Sequence, residues 1–134
     1  MMKEVYEFIN ECGTYYLATI EDNKPRVRPF GTINLYENKL YIQTGKSKNV
    51  YKQIEKNNNF EICCFKEGKW LRVSGELIAD DRIQAKKSML DKYPDLRSMY
   101  DENDSNTSVL YINNAIATFY SFTEGPKEIK LNNS

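Results

Sequence analysis

The sequence predicts a mainly β fold with flanking helices, in which about six antiparallel strands form a Greek-key-like barrel. Short segments rich in aromatic and β-branched residues alternate in polarity, as half-buried strands do. Turn-forming sequences such as Glu-Asp-Asn-Lys and Glu-Gly separate neighbouring strands, which favours hairpins. Helical periodicity is confined to the start of the chain and to two internal stretches. Short strands joined by hairpin turns indicate a closed or nearly closed barrel.

Local signals place each element along the chain. Helix 3–12 carries an apolar stripe and stops at Gly13, Gly75 marks a bulge or a close backbone approach, and Asp80 or Asp81 caps a helix that Pro94 closes. In chain order we predict a helix at 3–12, strands at 14–20, 26–35 and 40–44, a helix from 47 to the asparagines at 57–59, strands at 60–66 and 69–79, a helix before 94, a short helix at 96–100 and a last strand at 109–123.

The chain is expected to form one domain. At 134 residues it is long enough for a single core and too short for a second one. The predicted domain covers residues 1–124, and the Gly-Pro pair at 125–126 ends it. Residues 125–134 are then a C-terminal tail that either frays or crosses to a partner subunit.

Charge and hydropathy narrow the possible partners and location. Lysine plus arginine and aspartate plus glutamate number 19 each, so no global field attracts nucleic acid, and we expect no nucleic-acid partner. The first residues lack the apolar core of a signal peptide, and no stretch approaches the roughly 18 apolar residues of a membrane span. We therefore expect a cytoplasmic protein without a membrane partner.

The sequence contains no histidine, which excludes several catalytic systems at once. Ser-His-Asp and Cys-His nucleophiles, His-Glu-x-x-His metalloenzymes and histidine-ligated haem all need that side chain. The cysteines Cys12, Cys63 and Cys64 have neither disulfide nor zinc spacing, and the acidic loop 101–107 lacks calcium-loop spacing, so no metal site is predicted. No catalytic side chain can be named, and an enzyme of this composition would rely on a cofactor.

Basic residues on two consecutive elements predict an anion site. Arg26 and Arg28 share one face of a strand because side chains alternate along it. Ser47 is a candidate helix N-cap, so the backbone N–H groups of Lys46, Ser47 and Lys48 would point outward to a phosphate. Spacing alone fits solvated lysines equally well, and the two arginines favour the anion because guanidinium pairs bidentately with phosphate.

Four motifs in their order resemble the pyridoxamine 5'-phosphate oxidase-like family of FMN-binding split barrels, particularly its short, single-domain bacterial members. The motifs are Arg-Val-Arg-Pro-Phe-Gly-Thr-Ile from 26, Leu-Tyr-Ile-Gln-Thr from 40, Ser-Lys-Asn from 47 and Trp-Leu-Arg-Val-Ser-Gly-Glu-Leu from 70. The resemblance covers about residues 4–122. It implies a split β-barrel fold, FMN as cofactor, and a homodimer with the flavins at the subunit seam.

The resemblance also assigns roles to individual residues. Arg28 would hold the FMN phosphate, the main chain of 29–31 would line the flavin ring, and Gln43 and Thr44 would meet the ring and ribityl chain. Lys48 and Asn49 match the family's basic pair, and Arg72 matches a glutamine near the flavin. Together with the anion-site residues, the predicted cofactor site comprises Arg26, Arg28, Pro29, Phe30, Gly31, Gln43, Thr44, Lys46, Ser47, Lys48, Asn49 and Arg72.

Three departures from the family pattern bear on activity. Ile33 stands where the oxidase has a phosphate-strand lysine, so Lys46 or Arg26 would supply that contact. The oxidase's C-terminal Trp-x-Arg segment has no counterpart after Thr123, and the histidine of the nitroimidazole-resistance branch is missing. The first two departures argue against pyridoxamine phosphate oxidation, and the missing histidine argues against membership of the nitroimidazole-resistance branch.

The function predicted from these features is an FMN-dependent oxidoreductase for a small aromatic or quinone-like acceptor, with NADH or NADPH as a possible electron donor. Two alternatives remain open. The first is a flavin-binding module without turnover, serving as a carrier or as a redox or stress sensor. The second is a split barrel that binds a deazaflavin, a cofactor whose phosphate the protein would also have to bind.

Overall fold

The computed structural model describes residues 1–131, and within that range the chain forms eight β-strands, three α-helices and one short 3-10 helix. The helices are α1 (Met2–Cys12), α2 (Asn49–Lys56), α3 (Ile83–Lys92) and the 3-10 turn Pro94–Ser98. The strands are β1 (Tyr15–Glu21), β2 (Lys24–Phe30), β3 (Asn34–Tyr36), β4 (Lys39–Gly45), β5 (Asn59–Lys66), β6 (Lys69–Asp80), β7 (Thr107–Ser121) and β8 (Lys127–Leu131).

The strands form one antiparallel sheet in the order β2-β1-β5-β6-β7-β4-β3, with β8 paired to β7. This path begins and ends on unpaired edges, so the barrel is split rather than closed. The predicted mainly β split barrel with flanking helices is confirmed. The predicted strand at 26–35 is in fact two strands, because residues 31–33 carry the chain from β1 across to β4.

The helices cover the core from outside the sheet. Val5 and Ile9 of α1 and Val50 and Ile54 of α2 join one large cluster of strand side chains. The two residues of each pair are four positions apart, so they lie on the same face of their helix and can pack together on the sheet. A second, smaller cluster lies under α3 and consists of Tyr41, Ala85, Met89 and Val109.

The C-terminal segment corrects one prediction. Residues 125–134 were expected to form a tail beyond the domain, yet Lys127–Leu131 pairs with β7 and buries Ile129 and Leu131. The apolar–polar alternation of this short segment is a strand signal, and the preceding Gly-Pro pair acts as a turn rather than as a boundary. Residues 132–134 of the predicted tail lie outside the described residues.

Gly75 is confirmed as both a bulge and a close approach. The β6–β7 register shifts between Ser74 and Glu76. A Cβ atom at Gly75 would come within 2.7 Å of the Cα of Ala115. Only glycine leaves room for the two backbones to meet there.

No helix within residues 1–131 is both long enough and apolar enough to cross a membrane.

Candidate anion-binding cleft

A cleft of about 440 Å³ lies between the edge strand β2 and the start of α2. We call it the anion cleft; its lining residues are Glu21, Arg26, Val27, Arg28, Pro29, Phe30, Lys48, Asn49, Val50 and Gln53. The structure thus brings together six of the predicted site residues: Arg26, Arg28, Pro29, Phe30, Lys48 and Asn49. Three cationic side chains meet one carboxylate here, so the cleft suits a negatively charged group.

Arg28 reaches across β1 towards α2 and is held by three neutral acceptors. Its Nη1 donates to the Leu17 carbonyl (3.2 Å) and to the Thr19 hydroxyl (2.7 Å), and its Nη2 donates to Gln53 Oε1 (2.7 Å). We call these three acceptors the Arg28 cradle. Burial lowers the pKa of the guanidinium, and the nearby Glu21 charge partly opposes this effect. Within the described residues no carboxylate forms an ion pair with Arg28, so its charge is unmatched.

The sequence prediction missed Gln53, which is the residue that connects α2 to the arginine. Its Oε1 accepts from both Arg28 and the Thr19 hydroxyl (2.5 Å), and only 6% of its surface is exposed. A usable signal was present, because Gln53 lies between Val50 and Ile54 on the apolar side of an amphipathic helix. A polar residue in that position needs a buried partner.

Arg26 lines the anion cleft but is already paired. Its Nε donates to Glu21 Oε1 at 3.0 Å, and both side chains are roughly half exposed. The hydrogen bond from Arg26 holds the pKa of the Glu21 carboxyl below its usual value, and the neighbouring Gln53 amide contributes further. Of the two predicted arginines, Arg28 is therefore the one available to an anion.

The segment before α2 differs from the prediction. Ser47 is not the N-cap; α2 begins after Lys48, and no side chain of the described residues caps it. The N–H groups of Lys46 and Ser47 donate to the Asn106 carbonyl and side chain, and that of Lys48 donates to the Gly45 carbonyl. Long-range contact with the 101–107 loop thus uses the amides that were predicted to bind an anion.

Lys46 is also turned away from the anion cleft. Its ammonium group lies 3.3 Å from an Asp81 carboxylate oxygen, and neither Lys46 nor Ser47 lines the cleft. Lys48 remains as the cleft lysine at the helix start. The substitute phosphate contact that was predicted from Lys46 or Arg26 is therefore not preformed in this chain.

Gln43, Thr44 and Gly31 do not line the anion cleft either. The side chains of Gln43 and Thr44 are buried in β4, and the Gln43 amide nitrogen donates to the Thr44 carbonyl (3.1 Å). Thr44 Oγ1 and the hydroxyl of Ser108, its partner in β7, are buried and have no hydrogen-bond partner among residues 1–131. Two adjacent unpaired hydroxyls are unusual in a core and mark this end of the barrel as polar.

Arg72 lies on the opposite side of the sheet from the core. Its Nε donates to Glu61 Oε2 at 2.5 Å, and the side chain is about half exposed. The single chain therefore does not place Arg72 beside the anion cleft.

The outer face of the sheet carries an extended apolar patch around Arg72. The strand registers align Tyr16 with Cys63, Phe65 with Trp70 and Trp70 with Tyr120. Trp70 stacks on Tyr120 with ring centroids 5.4 Å apart and also contacts Phe122. We call this surface the apolar face; its most exposed large side chains are Tyr16, Val27, Phe65, Ile116 and Phe122. Val27 also lines the anion cleft, so the two features are continuous.

These features define a class of protein: a split antiparallel barrel with a basic cleft at one sheet edge and an uncovered apolar face beside it. Comparison with known families leads to the same class. A family model described as pyridoxamine 5'-phosphate oxidase matches residues 1–115. The chain belongs to the pyridoxamine 5'-phosphate oxidase family, as its motifs predicted.

Solved structures support the assignment at two levels. A NimC/NimA family protein from Clostridium acetobutylicum is 40% identical, with a TM-score of 0.93 over 97% of this chain and 92% of that one. General stress protein 26 from Bacillus anthracis is 20% identical (TM-score 0.72, 97% and 98% covered). A pyridoxamine 5'-phosphate oxidase-related, FMN-binding protein from Nostoc punctiforme is 16% identical (TM-score 0.64, 98% and 94% covered).

The last two similarities establish the fold alone. The first is a similarity in sequence as well as in fold. Identity of 40% to a NimC/NimA family protein means that the lack of histidine does not by itself separate this chain from that group. No protein with a curated description matches the chain.

Proposed function

We propose that the chain binds FMN, with the phosphate on Arg28 and Lys48 at the anion cleft. One observation carries this proposal: Arg28 is partly buried, fixed by three neutral acceptors and without a carboxylate partner in the described residues. A desolvated cation in that state gains from an anion, and phosphate matches the guanidinium fork. The family name of the Nostoc punctiforme relative, an FMN-binding protein, agrees with this choice.

The residues around Arg28 give each part of the ligand a neighbour. Lys48 adds a second positive charge, while Val27, Pro29 and Phe30 provide an apolar wall for a flavin ring. When bound, FMN supplies the redox chemistry. The protein's part is to orient the phosphate, shield the ring and leave room for a second planar molecule.

We further propose that two chains pair through the apolar face. Val27 and Phe65 are 68% and 60% exposed, which is unusual for large apolar side chains on a strand. A second copy is the favoured occupant because Val27 belongs to both the apolar face and the anion cleft, so a partner would also wall the ligand site. The flavins would then lie at the subunit seam, and Arg72 of the apolar face would come close to them.

The bound FMN is proposed to pass electrons from NADH or NADPH, in the cytoplasm, to a small aromatic or quinone-like acceptor. Among the described residues, the one carboxylate that lines the anion cleft, Glu21, is paired with Arg26, and Lys48 is assigned to the phosphate, so the lining leaves no free general acid. Such a site suits acceptors that take their protons from water. The same lack of a proton donor supports the second candidate, a flavin carrier or redox sensor without turnover.

Reduction of the flavoprotein distinguishes the two candidates. We expect the protein purified with FMN to be yellow and to lose its absorbance near the flavin maximum when NADH or NADPH is added without oxygen. Bound flavin that dithionite reduces but neither nicotinamide reduces would favour the carrier or sensor. Binding of a deazaflavin in preference to FMN would support the deazaflavin alternative. A protein that binds neither cofactor would contradict the proposal.

A further inference from the structure

We propose that Thr19 and Gln53 are positioning residues that hold one edge of the Arg28 guanidinium towards the anion cleft. The site then selects ligands that carry a phosphomonoester. This inference rests on the proposed function only in taking FMN as the natural ligand. The geometry of the Arg28 cradle is present in the chain by itself.

Counting donors identifies the free edge of Arg28. A guanidinium has five N–H donors, one on Nε and two on each terminal nitrogen. The Arg28 cradle uses three of them: both on Nη1, to Leu17 and Thr19, and one on Nη2, to Gln53. Thr19 Oγ1 and Gln53 Oε1 lie 2.5 Å apart, so the Nη2 hydrogen that Gln53 accepts is the one facing Nη1. The remaining two donors, on Nε and Nη2, then lie side by side and form the fork that binds two oxygens of one phosphate.

The orientation of the Gln53 amide is determined by its neighbours. Its oxygen accepts from Arg28 and from the Thr19 hydroxyl, and its amide group lies beside the Glu21 carboxylate, whose pKa it helps to lower. An amide turned the other way would set its N–H donors against those of Arg28. The three side chains therefore fit together in one arrangement.

The acceptors of the Arg28 cradle are neutral, and this matters for binding. A carboxylate in the position of Gln53 would hold the guanidinium equally well but would cancel its charge before a ligand arrived. A carbonyl, a hydroxyl and an amide fix the geometry while leaving the positive charge for the anion. This arrangement combines preorganisation with full electrostatic attraction.

Thr19 allows the inference to be tested without touching the ligand. It is 2% exposed and does not line the anion cleft. Thr19→Val keeps the shape and removes the hydroxyl, whereas Thr19→Ser keeps the hydroxyl. We expect Thr19→Val to weaken FMN binding about tenfold, since charge-assisted hydrogen bonds hold Arg28 in place.

Riboflavin, which lacks the phosphate, is the internal control for that experiment. Its dissociation constant, measured by fluorescence quenching, should be the same in wild type and in Thr19→Val, and Thr19→Ser should restore FMN affinity. Gln53→Met, which removes the acceptor at similar volume, should reproduce the selective loss. Equal losses for FMN and riboflavin, or no loss for either, would overturn the positioning role.

A measurement without flavin separates this inference from the proposed function. The Nε–H resonance of Arg28, followed by NMR during titration with inorganic phosphate, should shift in wild type and Thr19→Ser at about tenfold lower phosphate concentration than in Thr19→Val. If wild type binds no flavin, the proposed function fails, and this titration still decides the inference. An equal response of wild type and Thr19→Val would refute it.

Discussion

Asp80 illustrates how a single side chain stabilises the barrel at the residue scale. It ends β6 and accepts hydrogen bonds from the Arg82 guanidinium, the Arg82 backbone N–H and the Tyr41 hydroxyl. These contacts lower the pKa of the Asp80 carboxyl from 3.8 to about 2, and the hydrogen bond from the Arg82 side chain has the largest effect. The sequence predicted a helix cap at this position; the structure instead places Arg82 as the N-cap of α3, with Asp80 binding it.

The Asp80 contacts make stability depend on acid pH. Because the pKa is lower in the folded protein than in the unfolded chain, the gain is complete above pH 4 and is lost as the pH falls towards 2. We expect the Asp80 contacts to contribute about 2 kcal/mol of unfolding free energy at neutral pH, so that wild type exceeds Asp80→Asn by this amount there and the difference disappears over that interval. Urea unfolding measured at several pH values gives both quantities.

Asp81→Asn is the matched control for Asp80→Asn. Asp81 is the next residue, and its ion pair with Lys46 is exposed, so its removal should change stability by less than about 1 kcal/mol. Equal effects of the two variants, or an acid profile in Asp80→Asn identical to that of wild type, would contradict the assigned role of Asp80.

At the element scale, the long antiparallel pair of β6 and β7 organises the barrel, and Gly75 is its most constrained position. A Cβ atom there would meet the backbone and side chain of Ala115 at 2.7 Å. Gly75→Ala should therefore cost about 1–3 kcal/mol of unfolding free energy, as overpacked sites do. Gly125→Ala is the control, because no heavy atom in the described part of the chain lies within 4 Å of its added Cβ. Thermal unfolding of the two variants should differ clearly, and equal midpoints would exclude the close approach.

How far the sequence predicted these elements depended on the range of the interaction. Alternation and turn residues predicted the helices, most strands and the Gly75 bulge, because those signals are local. The fold and family were confirmed, and Arg28, Pro29, Phe30, Lys48 and Asn49 share one cleft with Arg26. The prediction that Lys46 and Ser47 offer free amides was wrong, since Asn106 binds both from a distant loop. Pairing of that kind leaves no trace in local sequence.

At the scale of the whole molecule, the apolar face predicts a homodimer. Phe65→Glu places a charge in the apolar face, so it should shift the mass in size-exclusion light scattering from dimer to monomer. Ile83→Glu is the control, because Ile83 is 54% exposed, lies on α3 and is not one of the strand residues of the apolar face. A wild-type protein that is monomeric at high micromolar concentration would contradict the proposed seam. Reduced flavin affinity in a monomeric Phe65→Glu variant would connect pairing to the ligand site.

The central claim, that Arg28 binds the phosphate of FMN, is tested most directly by titrating FMN and riboflavin into wild type and Arg28→Gln. We expect the substitution to weaken FMN binding about 10- to 100-fold, the range for a charge-assisted bidentate contact, and to leave riboflavin binding nearly unchanged. Lys24→Gln, an exposed lysine on the same strand that does not line the anion cleft, should bind both flavins like wild type. Equal FMN affinity in Arg28→Gln and wild type would contradict the account.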